Sequence, residues 1–116
     1  MILARAAADA VADKKGGDVV LLDVADLIVI IDVFVIASGT SRPHVQSLAE
    51  HVEEHLALSG RKPFREEGRA EGEWVLLDYG DVVVHIFQPN TRSYYGLERL
   101  WGDADRIAWE PVVSDA

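Results

Sequence analysis

Three short stretches combine residue types that could do chemistry. The run His51-Val-Glu-Glu-His55 matches H-x-x-E-H, in which two histidines one helical turn apart hold a zinc ion and Glu54 would act as base. His44 falls near the same helical face and offers a third nitrogen ligand. A zinc protease also needs a substrate cleft and a ligand from a second helix, and 116 residues leave little room for either. The three histidines flank an apolar helical stripe, where half-exposed amphipathic residues sit, so no metal site is expected here.

The second stretch, Ala37-Ser-Gly-Thr-Ser41, follows an apolar run and opens a helix, so its backbone amides could cradle a phosphate. Nucleotidyl transfer would need a pair of carboxylates close behind to hold magnesium. The chain instead continues Arg42-Pro-His-Val-Gln-Ser-Leu-Ala-Glu-His-Val, without paired acids, and helix capping alone explains Ser and Thr at this turn. In the third stretch Asp78, Asp81 and His85 offer acid–base groups, yet no nucleophile or third ligand accompanies them. No catalytic residue and no cofactor is expected.

The elements that position these groups can be read from periodicity. Leu3, Ala7, Ala10 and Val11 recur at helical spacing in an alanine-rich segment that Gly16-Gly17 ends. Asp18 to Val24 reads as a strand buried on both faces, and Leu27 to Gly39 as one or two more. The second helix is capped by Thr40 or Ser41, carries Pro43 in its first turn, and buries Val45, Leu48, Ala49, Val52 and Leu56 before Gly60. A charged connector follows, with a short strand near Phe64. Next come a hairpin over Gly72 to Phe87, a short helix capped from Asn90 or Thr91, and a last strand in Arg106 to Glu110. Residues 1–110 are expected to form one α/β domain with a mixed sheet, and residues 111–116 a frayed tail.

In the hairpin, a two-residue loop at Tyr79-Gly80 would set Asp78 opposite Asp81 and Trp74 opposite His85. Alternation then places Val75, Leu77, Val82, Val84 and Ile86 on a wholly aliphatic core face. The other face carries Trp74, Leu76, Asp78, Asp81, Val83 and His85. A tryptophan beside leucine and valine, rimmed by acids, suits a protein-binding patch; it also suits an ordinary wet sheet surface or a face covered by a helix. In Tyr94 to Trp101, helical spacing puts Tyr94, Leu97 and Trp101 on a core face, with Tyr95, Glu98 and Arg99 off it.

Eleven basic against twenty acidic residues give a net charge of −9, which disfavours binding to a phosphate backbone and suits a basic protein partner. The absence of cysteine rules out disulfides and thiolate chemistry and fits a cytoplasmic setting. No apolar run approaches the length of a membrane span, and the first residues lack the pattern of a signal peptide.

Three segments together, "DVFVIASGTSRPHVQSLAEHV", "GEWVLLDYGDVVVHIF" and "RSYYGLERLWGDAD", resemble the ribosome silencing factors, the Iojap-like family. The resemblance implies a small α/β fold similar in shape to nucleotidyltransferases but without their catalytic acids. It implies binding to the large ribosomal subunit through its fourteenth protein, a basic protein at the subunit interface. The small subunit is then blocked from joining and translation falls. Homodimers are also implied. Carried over by position, the partner surface comprises Trp74, Leu76, Asp78 and Asp81 on the hairpin, with Tyr95, Glu98 and Leu100 beside them. Val33 departs from the larger residue common in the family; with the apolar Leu27–Ile31 run it suggests altered packing or a dimer contact, away from the partner surface.

Overall fold

The computed structural model describes residues 2–111. Its elements run α1 (Ile2–Asp13), β1 (Gly17–Asp23), β2 (Val33–Ser38), α2 (Arg42–Ala57), β3 (Arg65–Glu67), β4 (Trp74–Asp78), β5 (Val82–Phe87), α3 (Pro89–Tyr95), α4 (Leu97–Leu100) and β6 (Asp105–Ile107). Of the tail expected at 111–116, residues 112–116 lie outside the described residues. The strands form one sheet in the order β3-β4-β5-β2-β1-β6. β2 and β5 pair in parallel at its centre, and every other neighbouring pair is antiparallel. This is the mixed-sheet α/β architecture expected from the element pattern.

Both long helices lie on one face. α1 buries Ala4, Ala7, Ala8, Ala10 and Val11, small residues that let α2 and the sheet approach closely. α2 starts where Ser41 accepts a hydrogen bond from the His44 amide, with Pro43 in the first turn, and its stripe Val45, Leu48, Ala49, Val52 and Leu56 is fully buried. These side chains pack on Leu21, Val33, Val35, Ala37, Val75, Leu77, Val82, Val84 and Ile86. Val33 is therefore a core residue, packed beneath the helices.

The opposite face is a second core rather than an exposed surface. Leu22, Val24, Phe34, Ile36, Val83 and Phe87 are covered by Leu97, Trp101 and Ala104 from the α4 region, and by Ile28 and Ile31 from the loop between β1 and β2. The run from Leu27 to Ile31 forms no strand: five apolar residues in a row offer no alternation to select one face, and the loop uses only Ile28 and Ile31 as anchors.

The hairpin turn also differs from expectation. The Tyr79 amide donates to the Val82 carbonyl at 2.9 Å, so the two loop residues are Gly80 and Asp81. Gly80 has φ +90°, with positive φ only at the first loop position, as in a type II′ turn. Asp78 pairs with Val83, Leu76 with His85 and Trp74 with Phe87, a slip of two residues from the expected register. The slip keeps each side chain of the paired strands on its expected face. Its cause is Tyr79, whose ring continues the Val75–Leu77 series into the core and must remain in strand alignment. Asp78 and Asp81 therefore do not oppose each other.

Candidate functional site

Two of the three histidines on this helix are hydrogen-bonded within the fold. His44 bridges the Thr40 amide, 2.9 Å from Nδ1, and the Lys14 carbonyl, 2.9 Å from Nε2, joining the start of α2 to the end of α1. His51 Nε2 lies 3.0 Å from Asp13, and the rings of His51 and His55 are 6.3 Å apart. Among the described residues no three side chains group as metal ligands. At the Ser-Gly-Thr-Ser turn the Gly39 amide donates to the Phe87 carbonyl and the Thr40 amide to His44, so neither points to an incoming phosphate.

The hairpin face is organised around Trp74. Its ring packs on Phe87 at 4.9 Å and on Tyr95 at 4.8 Å, and its Nε1–H donates to His85 Nδ1 at 3.1 Å. The His85 side chain is 5% exposed, and burial pushes its pKa down to about 4, so it is a neutral acceptor. Phe34 meets the imidazole edge to face at 5.0 Å. Trp74, Leu76 and Asp78 remain half-exposed because β4 has only the short β3 beyond it. Trp74 and Tyr95, distant in sequence, therefore form one aromatic ledge.

The acids of the expected surface have different surroundings. Asp78 accepts from the Gly80 amide at 2.8 Å, and its other oxygen lies 3.8 Å from Arg65. Asp81 sits in the turn, 3.1 Å from Arg61 beyond the end of α2. Glu98 is held by Arg92 at 2.5 and 2.6 Å, and Arg92 also donates to Ser38 Oγ at 2.7 Å. The sequence did not signal Arg92; it set Trp74 opposite His85, whereas in the structure Trp74 pairs with Phe87 and reaches His85 diagonally.

The expected single helix is two. It starts at Pro89 with Gln88 as cap, later residues Asn90 and Thr91 lying inside it, and it breaks at Gly96, whose φ is +57°. The break resets the helical phase. Tyr94, expected in the core, is 80% exposed, Tyr95 reaches Trp74, and Leu100 is exposed.

A family model described as "Ribosomal silencing factor during starvation" matches residues 2–116. The chain belongs to this family. It is 42% identical over 112 residues to the ribosomal silencing factor RsfS of Halalkalibacterium halodurans, covering 97% of this chain and 96% of that protein. Identity to RsfS of Bacillus subtilis is 43% over 98 residues, covering 84% of this chain and 83% of the relative. A crystal structure of a Chromobacterium violaceum protein superimposes with a TM-score of 0.85 at 36% identity, covering 99% of this chain and 92% of that one. These silencing factors are named as such and not as enzymes. No helix among the described residues is long and apolar enough to cross a membrane.

Proposed function

We propose that this silencing factor is a non-enzymatic translational repressor that binds the large ribosomal subunit through its fourteenth protein and sterically blocks joining of the small subunit. The observation that carries this is the family match across residues 2–116. The Trp74–Tyr95 ledge supports it: the ring edges are half-exposed while the indole N–H is satisfied internally, so the ledge offers shape and apolar area. A net charge of −9 suits a basic partner protein and speaks against direct nucleic-acid readout.

On this reading Trp74, Leu76, Tyr95 and Leu100 contribute apolar contact and Asp78 meets a Lys or Arg of the partner. Asp81 and Glu98 already hold arginines of their own chain, so they shape the rim more than they supply free charge. The protein acts in the cytoplasm, without a cofactor, and forms a homodimer.

The test is co-sedimentation with isolated ribosomal subunits, with subunit joining followed by light scattering in the same samples. Wild type pellets only with large subunits and blocks joining, and Asp78→Lys fails at both. Wild type remaining in the supernatant would sink the proposal.

A further inference from the structure

The loop from Leu27 to Ile31 presents the most exposed aliphatic side chains next to the proposed surface. Val29 is 99% exposed and Ile30 78%, while their neighbours Ile28 and Ile31 pack into the second core with Trp74, Leu76 and Val83. The loop is pinned at both ends. The Val24 amide donates to the Asp32 carbonyl at 2.9 Å, and the Leu27 and Ile28 amides return to the Val24 carbonyl at 2.9 and 2.8 Å. The Asp32 amide then donates to the Asp81 carbonyl at 2.7 Å, tying the loop to the hairpin turn. A tethered loop that anchors Ile28 and Ile31 and holds the two aliphatics between them in water is built for contact.

Its rim is acidic. Exposed Asp26 and Asp32 flank the loop in sequence, Asp23 before it accepts from the Ala25 amide, and no Lys or Arg occurs from Asp18 to Ser41; the cations brought near by the fold are Arg106, paired with Leu22, and Arg61, held by Asp81. That charge pattern selects among occupants. A second copy meeting the same loop would set like charges together, and an anionic lipid surface would be repelled. A basic protein surface with an apolar pocket is complementary in both respects.

We propose that Val29 and Ile30 form a second arm of the partner-binding surface, inserting into an apolar pocket with a basic rim on the large-subunit protein that also receives Trp74 and Leu76. The loop's role rests on large-subunit binding as proposed above. The loop flanks the Asp78–Asp81 end of the sheet face while α3 and α4 flank the Trp74 end, so the half-exposed strand β4 lies between two raised borders.

The test uses the full chain and isolated large ribosomal subunits, with Val29→Ser/Ile30→Ser, Asp26→Lys and Trp74→Ala measured beside wild type. The two loop side chains touch little of their own protein, so the double variant keeps the wild-type melting temperature but binds at least about tenfold more weakly. Asp26→Lys slows association, and more so at low salt. If the loop variant binds like wild type while Trp74→Ala fails, the loop has no part in the interface and large-subunit binding stands. If wild type does not bind large subunits, both readings fall. A wild-type dimer that the loop variant converts to monomer, with large-subunit binding unchanged, would assign the loop to self-association instead.

Discussion

The indole N–H of Trp74 ends on Nδ1 of His85, 3.1 Å away, and this contact fixes where the imidazole keeps its proton. With Nδ1 accepting, the proton of the neutral ring sits on Nε2, a buried atom with no hydrogen-bond partner among the described residues. The most exposed aromatic ledge of the sheet face is thus oriented from beneath by a desolvated histidine.

This burial couples stability to acidity. The folded-state pKa of His85 is about 4, below the ordinary histidine value of 6.5, because of desolvation. The associated stability is fully present above pH 6.5 and is lost as pH falls towards 4, amounting to roughly 3 kcal/mol at the acid end. Urea unfolding between pH 7 and 4 should show a steeper loss for wild type than for His85→Asn, by about one proton. Equal slopes would mean that His85 is not held neutral.

The same bond predicts a coupling between two substitutions. His85→Leu removes the acceptor and strands the indole N–H, at a cost of about 1–3 kcal/mol, whereas His85→Asn keeps an acceptor near the Nδ1 position. In a Trp74→Phe background there is no donor to strand, so the excess cost of His85→Leu over His85→Asn should vanish. A double-mutant cycle read by chemical denaturation, with the indole N–H resonance as a local probe, measures this. Strict additivity would show that the bond contributes nothing.

Arg92 is the third point of leverage. Its guanidinium joins Ser38, at the end of β2, to Glu98 in α4, and its side chain is only 12% exposed. Arg92→Ala should lower stability by about 1–3 kcal/mol, since it strands a half-buried carboxylate and a buried hydroxyl. Arg92→Lys should recover only part of it, because an ammonium cannot reproduce the forked geometry. Thermal melts of the two variants decide this, and full recovery of stability in Arg92→Lys would mean that the fork is immaterial.

The amphipathic helices were the most legible part of the sequence. Ser41, Pro43 and the five apolar residues of α2 announce one another through spacing, and the structure uses every one of them. The alternating hairpin was legible in its faces and not in its register, because parity survives a slip of two residues while pairing does not. The second core was hidden for a different reason. Whether Trp74, Leu76 and His85 face water depends on α3, α4 and the Leu27–Ile31 loop folding over them, a long-range outcome that strand alternation cannot report. The break at Gly96 had the same effect on Tyr94 and Tyr95, exchanging which ring turns inward. The family resemblance supplied the expected partner surface by position, but Arg61 reaches Asp81 from twenty residues away and Arg92 reaches Glu98 across the break at Gly96, contacts that required three dimensions.

The parallel pairing of β2 with β5 also governs when this chain can fold. Strand partners at the middle of the sheet, such as Val33 and Val82, lie roughly fifty residues apart, so the central ladder closes a large loop before it gains its contacts. During synthesis, β1 and β2 can pair as soon as they emerge, but one edge of β2 stays open until β5 has left the ribosome. Newly made protein therefore becomes competent only when nearly the whole chain is out, and any pause before Phe87 leaves an apolar strand edge exposed to other nascent chains.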